Sequence, residues 1–188
     1  MMSLAVQLGA LPTFGELQNL LLHYGRFDRM RLHYAERFGY GIPCREVVEA
    51  IAGCGPLLEV GAGNGFWTFC LRRKGIDVIA TDPKEAGMYN RGQWIRDLVE
   101  VDAIAAMNRF PGRNILMVWP HFESLWAVDV AQSMKAGQLL CYVGEGAFGC
   151  CAPNAFFLEL ARSGFKMIYS HPSPSWVTTQ DHLFIYQK

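Results

Sequence analysis

A glycine-rich turn is the feature that most constrains the fold of this chain. Three glycines stand at positions 61, 63 and 65 in the stretch LLEVGAGNGFW, between an apolar run and a segment of helical character. Glycine tolerates positive φ angles and lets a ligand approach the backbone closely. A helix that begins after such a turn presents unpaired N–H groups and a partial positive charge. The stretch therefore predicts a strand, a ligand-binding turn and a helix, as in the nucleotide-binding corner of a doubly wound sheet.

From residue 56 onward, short apolar runs alternate with stretches of helical character. The strand candidates are, in order, PLLEV, DVIAT, LVEV, NILMVW, QLLCYV, FKMIYS and HLFIYQK. Strands that alternate with helices form a parallel sheet with helices on both faces. No helix separates the last two candidates, so they can pair as an antiparallel hairpin. We predict an α/β fold with a doubly wound, mostly parallel, Rossmann-like sheet and an antiparallel C-terminal hairpin.

Residues 1–55 have helical rather than alternating patterns. Thr13 and Glu16 have the spacing of a capping box ahead of a leucine-rich segment. We predict that residues 1–55 form an N-terminal helical cap or lid, and that residues 56–188 form one Rossmann-like domain.

Two helices with defined ends are predicted between the strand candidates. Asn64 to Lys74 fits a helix, with Gly75 just past its end. Ser124 can cap a second helix, which runs to Lys135.

Charge and composition restrict the partners of the chain. Lys+Arg and Asp+Glu number 17 each, so the formal net charge is zero and no basic excess is offered to phosphate backbones or anionic lipid. No apolar run approaches the ~18 residues of a membrane-spanning helix. The opening segment lacks the basic region of a signal peptide. We predict a cytoplasmic protein, a monomer or homodimer, with a small-molecule substrate and neither nucleic acid nor membrane as a partner.

The six cysteines form no CxxC pair and no regular framework. Without a secretory signal, they are expected to be free thiols and small buried hydrophobes. Cys150 and Cys151 are adjacent, which leaves a vicinal disulfide or a soft-metal site as the alternative. We assign no metal ligand from the sequence.

The spacing within the turn separates two classes of nucleotide ligand. The dinucleotide fingerprint is GxGxxG, which cradles a pyrophosphate. Here the spacing is GxGxG, and the bulky Phe66 occupies the position of the third fingerprint glycine. Glu59, two residues before the first glycine, would repel a pyrophosphate but suits a ligand that carries an ammonium group, although it could instead cap a neighbouring helix. A nicotinamide or flavin protein remains the alternative.

The pattern ExGxGxG resembles the first motif of class I methyltransferases, which bind S-adenosylmethionine. The resemblance implies that the cofactor contacts Glu59, Gly61, Ala62, Gly63 and Gly65. It also implies that Asp82, which ends the second strand candidate in VIATDP, binds both ribose hydroxyls. Dinucleotide enzymes need an acid at the same distance, so Asp82 alone does not discriminate. Asp102 and Ala103 follow the third candidate, where the superfamily contacts adenine, although Asp102 could equally be an ordinary helix N-cap.

The later segments resemble a small, poorly characterised methyltransferase-like family over roughly residues 40–187. The shared segments are Ile42-Pro43, GNGFW, Trp119-Pro120-His121-Phe122, Tyr142 to Gly146 and Phe156-Phe157. The chain departs from that family's pattern at two places. One is His121, where proline is more usual, and the other is the segment GCCAP, residues 149–153.

Residues after the fourth and fifth strand candidates are expected to face the methyl acceptor, because ligands lie outside the carboxyl ends of parallel strands. Amine methyltransferases carry [DN]PP[YF] at the first of these places, and Trp119 lacks the oxygen that would accept from an amine of DNA. His121 is a candidate general base, since imidazole exchanges protons near neutral pH, or a surface histidine. Glu145 could bind or activate the substrate, or cap a loop. Tyr40, Trp67 and Trp119 could wall the pocket and face the sulfonium through cation–π contact, or pack in the core.

The sequence thus predicts an S-adenosylmethionine-dependent methyltransferase that acts on a small molecule. Two alternatives stay open. One is a module that binds S-adenosylmethionine without transferring its methyl group. The other is a protein or RNA methyltransferase, which would need a charged or grooved face.

Overall fold

The computed structural model describes residues 10–24, 28–84 and 93–188. The helices in these residues are α1 (Phe14–Tyr24), α2 (Asp28–Phe38), α3 (Arg45–Ala52), α4 (Phe66–Arg72), α5 (Ala103–Arg109), α6 (Trp126–Ser133) and α7 (Asn154–Arg162). The strands are β1 (Leu57–Val60), β2 (Val78–Thr81), β3 (Asn114–Val118), β4 (Leu139–Gly144), β5 (Lys166–Pro172) and β6 (His182–Gln187). None of the helices within these ranges is long and apolar enough to cross a membrane.

The strands form one sheet in the order β2-β1-β3-β4-β6-β5. Strand β1 pairs in parallel with β2 and β3, and β3 pairs in parallel with β4. Strand β6 lies antiparallel between β4 and β5. These pairings confirm the predicted α/β fold with its antiparallel C-terminal hairpin. Because the strand order reverses between β1 and β3, the turn after β1 lies at the topological switch point, where open α/β sheets bind ligands.

The third strand candidate, LVEV, is wrong as a strand. In the structure only Val99 pairs, in an isolated parallel bridge with Thr81 beside β2. Its N–H donates to Ala80 O at 3.0 Å, and its carbonyl accepts from Asp82 N at 3.2 Å. The segment is short and half exposed, so it adds a bridge to the edge of the sheet without extending it.

The helix starts follow local chemistry, with one exception. The capping box is confirmed, because Thr13 N donates to Glu16 Oε2 at 2.8 Å and Glu16 N donates to Thr13 Oγ1 at 3.3 Å. Helix α4 starts two residues later than predicted, because Gly65 is still left-handed at φ +78°. The predicted N-cap Ser124 is wrong: its N–H donates to His121 O at 3.2 Å in the preceding turn, and α6 begins at Trp126.

Two apolar clusters cover the two faces of the sheet. Leu57 belongs to one cluster, with residues of α1, α3 and α4, whereas Leu58 belongs to the other, with residues of α5, α6 and α7. Successive residues of β1 therefore face opposite layers, and both are completely buried. Leu17 and Leu21 of α1 pack in the first cluster, so α1 contributes to the same core as the sheet. A lid function for residues 1–55 stays a prediction.

Candidate cofactor and acceptor site

The glycine turn has the backbone that its sequence requires. Gly61, Gly63 and Gly65 adopt φ angles of +69°, +56° and +78°, a region that L residues with side chains rarely occupy. A β carbon on Gly65 would lie 2.5 Å from Ile95 Cγ1, and one on Gly61 would lie 3.2 Å from the Trp126 ring. The conformation favours glycine at positions 61 and 65, the contact at Gly61 is tight, and at Gly65 the packing leaves no room for a β carbon.

Backbone and amide hydrogen bonds hold the turn against the sheet and against α2. Ala62 N donates to Thr81 O at 3.0 Å, and Gly65 N donates to Ala62 O at 2.9 Å. The buried Asn64 donates from Nδ2 to Arg37 O at 2.6 Å, at the end of α2. Sequence reasoning missed Asn64, although a polar residue between two glycines of such a turn is a signal for this bracing role.

Glu59 lies beneath the turn with 2% of its surface exposed. Its carboxylate accepts a hydrogen bond from the Thr68 hydroxyl of α4. Burial raises the pKa of Glu59 to about 7, the Thr68 contact opposes this rise, and the charge of Asp82 adds to it. A cation near Glu59 would favour its ionised form, which fits the chemistry of an ammonium ligand. Contact with the cofactor stays a prediction.

Asp82 spans the carboxyl ends of β1 and β2. Its Oδ2 accepts from Gly63 N at 2.8 Å, and its Oδ1 accepts from Lys84 N at 2.8 Å. A carboxylate oxygen can accept two hydrogen bonds, so both oxygens retain capacity for ribose hydroxyls. The structure thus brings together the turn, Glu59 and Asp82, as the sequence pattern suggests.

Asp102 caps the next helix. Its Oδ1 accepts from Ala105 N at 2.8 Å, at the start of α5, so the N-cap alternative is confirmed. The following residue, Ala103, is buried against the core. Contact of Asp102 and Ala103 with adenine stays a prediction.

Trp119 follows β3 and is held in an uncommon conformation. Its φ angle is +51°, and its N–H donates to Val143 O at 2.8 Å. Tyr40 stacks on its ring with a centroid distance of 5.3 Å, and the Arg31 guanidinium carbon lies 5.4 Å from the ring centroid. The predicted pair of Tyr40 and Trp119 therefore comes together beyond the carboxyl end of β3, in the region that we call the acceptor end after its predicted role.

Trp67 is more deeply buried than Tyr40 and Trp119. Only 3% of its surface is exposed, and its Nε1 donates to Gly41 O at 3.2 Å. A β carbon on Gly41 would lie 3.3 Å from Trp67 Nε1 and 3.5 Å from Trp119 Cδ1, so Gly41 fits between the two indoles. Trp67 packs in the core behind Trp119, and a direct role for it in binding substrate stays a prediction.

Asp181 is a site residue that sequence reasoning missed. It is 2% exposed, and its Oδ2 accepts from Trp119 Nε1 at 3.0 Å. Its Oδ1 is buried and has no hydrogen-bond partner within residues 10–24, 28–84 and 93–188. Burial raises the pKa of Asp181 to about 7, the Trp119 hydrogen bond opposes this rise, and the charge of Glu145 adds to it. Because β6 is antiparallel to β4, the residue before β6 falls at the carboxyl end of β4, and that placement is the signal that could have found it.

Both carboxylate oxygens of Glu145 accept hydrogen bonds from backbone N–H groups. Its Oε2 accepts from Cys150 N at 2.8 Å, and its Oε1 accepts from Gln180 N at 3.0 Å. Burial alone would raise the pKa of Glu145, but hydrogen bonds from Cys150 and Gln180 outweigh it and hold the pKa below its usual value. Glu145 therefore caps the loop, as one alternative predicted, and a lowered pKa makes it a weak base. A role in binding or activating the substrate stays a prediction.

His121 lies at the surface next to this loop. Its backbone forms an isolated antiparallel bridge with Cys151, and its Nδ1 accepts from Glu123 N at 3.3 Å. The side chain is exposed, and its ring stacks on Phe122 with a centroid distance of 5.2 Å. Its role as a general base stays a prediction.

Comparisons with known proteins establish the fold. No protein-family model and no curated protein matches the sequence. A solved S-adenosylmethionine-dependent methyltransferase from Archaeoglobus fulgidus is 15% identical, with 77% of this chain and 90% of that chain covered and a TM-score of 0.54. Precorrin-6y C5,15-methyltransferase from Geobacter metallireducens is 10% identical, with coverages of 78% and 89% and a TM-score of 0.51. TehB from Haemophilus influenzae is 14% identical, with coverages of 84% and 66% and a TM-score of 0.50. The chain thus shares the fold of S-adenosylmethionine-dependent methyltransferases.

Proposed function

We propose that this protein is an S-adenosylmethionine-dependent methyltransferase with a small-molecule acceptor. The observation that carries the proposal is the left-handed glycine turn at the switch point of the sheet, with Glu59 beneath it and Asp82 hydrogen-bonded to Gly63 N at 2.8 Å. In this proposal Asp82 binds the ribose hydroxyls, and Glu59 offsets the positive charge of the amino acid moiety. When bound, the cofactor supplies the electrophilic methyl group.

The acceptor in this proposal lies against Trp119, Tyr40 and Asp181. The buried Asp181 Oδ1 lacks a donor among the residues that the structure describes, so an acceptor N–H or O–H would satisfy it. A carboxyl whose pKa is raised to about 7 by burial also suits proton removal at neutral pH. We therefore place Asp181 ahead of Glu145 as the general base, with His121 as the exposed second candidate.

A module that binds the cofactor without methyl transfer is the second candidate function. The engagement of both Glu145 oxygens within the protein favours it, because one of the two predicted catalytic side chains is already occupied. In that case Asp181 would bind a ligand without removing a proton from it.

Thermal unfolding with a panel of nucleotides tests the cofactor class. We expect S-adenosylmethionine and S-adenosylhomocysteine to raise the melting temperature, since a ligand at 100 times its Kd stabilises by about 2.7 kcal/mol. NAD should leave the melting temperature unchanged, because Glu59 and the GxGxG spacing disfavour a pyrophosphate. If NAD raises the melting temperature while both sulfur-containing ligands fail to, the proposal is wrong.

A further inference from the structure

The loop after β4 gathers sulfur and oxygen ligands at one point. We call residues 145–152 the thiol loop. Glu145, Cys150 and Cys151 each offer one ligand atom, and the three atoms lie within 4.8 Å of one another. Cys150 Sγ donates to Glu145 Oε2 at 2.8 Å, and Cys151 Sγ accepts from Glu145 N at 3.4 Å. All six cysteines of the chain are free thiols, so the adjacent pair forms no disulfide in this structure.

The backbone of the thiol loop is strained around the two cysteines. Phe148 and Ala152 adopt φ angles of +68° and +52°, which are costly for residues with a β carbon. A β carbon on Gly149 would clash with Cβ of Glu145. Such strain persists only where surrounding contacts impose it, and it concentrates at ligand clamps and active sites. The backbone around the three ligand atoms therefore has a conformation that surrounding contacts must hold.

His121 lies across from the thiol loop. It forms an antiparallel bridge with Cys151, and Ala152 N donates to Pro120 O at 2.8 Å. Directly opposed residues of an antiparallel pair point to the same side, with Cβ atoms about 4.5–5.5 Å apart. The His121 ring would need to leave its 3.3 Å contact with Glu123 N to turn toward Cys151, which is feasible for an exposed side chain. The two departures from the methyltransferase-like pattern, His121 and GCCAP, are thus neighbours in space.

We propose that Glu145, Cys150 and Cys151 form the core of a binding site for a soft divalent cation of the Zn²⁺ class, with His121 as the fourth ligand. Thiolate, imidazole and carboxylate are the donors that Zn²⁺ accepts in tetrahedral sites. Mg²⁺ and Ca²⁺ prefer sites built from oxygen alone, so they should not compete. The site revises the sequence-based assignment of no metal ligand, and it does not depend on the proposed methyltransferase function.

Another pair of thiols in the chain supplies the control. Cys54 and Cys141 interact with each other, but both are buried in the apolar cluster beside β1. They differ from the thiol loop because, among the described residues, no third His, Cys, Asp or Glu lies close enough to complete a metal-binding group with them. A Cys54→Ser variant therefore shows whether a metal signal comes from Cys54 and Cys141 and not from the thiol loop.

Titration of the reduced, cofactor-free protein with Cd²⁺ tests the site through the near-ultraviolet thiolate-to-cadmium band. We expect one ion per chain, displaced by Zn²⁺ and not by Mg²⁺. Loss of a partner that merely orients a ligand weakens metal binding roughly 10–100-fold, so Cys150→Ser and Cys151→Ser should each weaken it by at least about 100-fold. Glu145→Gln and His121→Ala change or remove a direct ligand and should each weaken it by at least about tenfold, and Cys54→Ser should leave it unchanged.

Circular dichroism and thermal unfolding establish that each variant is folded. Cys150 is exposed, so Cys150→Ser retains the fold even if the buried Cys151→Ser does not. No band in the wild-type protein, or a band that persists unchanged in Cys150→Ser, overturns the site. Unchanged affinity in His121→Ala overturns the fourth ligand. Because S-adenosylhomocysteine binding is measured separately, failure of the metal site leaves the proposed function standing, and the reverse also holds.

Discussion

Within the turn 61–65, left-handed backbone falls on glycines, whereas at the acceptor end it falls on Trp119, Phe148 and Ala152. A left-handed conformation costs a residue with a β carbon about 1–2 kcal/mol, and glycine adopts it freely. The turn 61–65, which with Glu59 and Asp82 we call the cofactor end after its predicted role, is therefore built without this strain, although Lys84, which holds Asp82, is left-handed at φ +55°. The acceptor end carries strain at three residues that other contacts must offset. Trp119 N donates to Val143 O at 2.8 Å, and Ala152 N donates to Pro120 O at 2.8 Å, so hydrogen bonds between segments hold the strained residues.

The two ends also differ in how many hydrogen bonds their carboxylates accept. Both oxygens of Asp82 accept backbone hydrogen bonds, at 2.8 Å each. Asp181 is buried, and its Oδ1 finds no donor among the residues that the structure describes. A turn whose hydrogen bonds are already formed before the ligand arrives is preorganised for binding. A buried oxygen without a hydrogen bond, in contrast, is where a hydrogen bond from a ligand would contribute most to the binding free energy. If the proposed function holds, the cofactor end is preorganised for its ligand and the acceptor end gains a hydrogen bond when the acceptor binds.

The largest effect is expected from a β carbon in the turn. Gly65 and Gly75 share a φ angle of +78°, but a β carbon at Gly65 would lie 2.5 Å from Ile95 Cγ1, whereas Gly75 has open space. Gly75→Ala should cost about 1–2 kcal/mol from the left-handed conformation alone. Gly65→Ala should cost roughly a further 1–3 kcal/mol from overpacking. Urea unfolding measures both, and equal losses would contradict the close packing of the turn.

Glu59→Gln should reveal the electrostatic cost of the cofactor end. The pKa of Glu59 is raised by burial from 4.5 to about 7, so the folded state binds the proton more tightly than the unfolded chain. The wild-type protein therefore loses stability as the pH rises from about 4.5 to 7. Above pH 7 we expect Glu59→Gln to be more stable than the wild type by about 3 kcal/mol, and near pH 4 the two should agree.

Urea unfolding as a function of pH measures that difference, with Glu49→Gln as the control. Glu49 is a surface carboxyl paired with Lys74 at 3.2 Å, so its variant should stay within about 0.5 kcal/mol of the wild type. The same Glu59→Gln protein should bind S-adenosylhomocysteine about tenfold more weakly, from the loss of a charged contact. A stability difference that is constant with pH would show that Glu59 is not the group that titrates.

Asp181→Asn should change turnover at the acceptor end without changing affinity at the cofactor end. Asp181 contacts Trp119 at the acceptor end and makes no hydrogen bond to the turn 61–65 among the residues that the structure describes. If the two ends act independently, the affinity for S-adenosylhomocysteine should change by no more than about twofold. Turnover with an acceptor, in contrast, should fall by roughly 10²–10⁴-fold if Asp181 is the base. A tenfold loss of cofactor affinity in folded Asp181→Asn would break the division of the site into two ends.

His121→Ala should have the smallest effect on the folded protein. The side chain is exposed, and its hydrogen bond to Glu123 N is long at 3.3 Å. We expect stability within about 0.5 kcal/mol of the wild type and an unchanged affinity for S-adenosylhomocysteine. Urea unfolding and calorimetry measure these values, and a loss of several kcal/mol would assign His121 a structural role.

Features that depend on neighbours along the chain could be predicted from the sequence. The glycine turn and the Thr13–Glu16 capping box follow from spacing of a few residues, and the terminal hairpin follows from two consecutive strands with no helix between them. Each has the expected geometry. The prediction of a third strand was wrong because four partly exposed residues carry too little hydrophobic pattern to distinguish a strand from a single bridge. Its one paired residue is Val99.

Features that depend on distant segments could not be predicted. Asp181 meets Trp119 across 62 positions of the chain, and Gln180 meets Glu145 across 35. These partners are set by the antiparallel pairing of β6 with β4, whose register no local pattern specifies. The region around Trp119 is made of such contacts, which explains why the glycine turn was easier to predict than the contacts of Asp181 and Glu145.

Calorimetric titration with S-adenosylhomocysteine tests the assignment of the glycine turn most directly. The test variant is Asp82→Ala. The control is Asp77→Ala, because Asp77 is a surface acid just before the first residue of β2 and pairs with Arg113 at 2.7 Å. The wild type and Asp77→Ala should bind one ligand per chain, and Asp82→Ala should bind at least about tenfold more weakly, because each charge-assisted hydrogen bond is worth about 1.5–3 kcal/mol. No binding to the wild type, or an unchanged affinity in folded Asp82→Ala, would contradict the assignment.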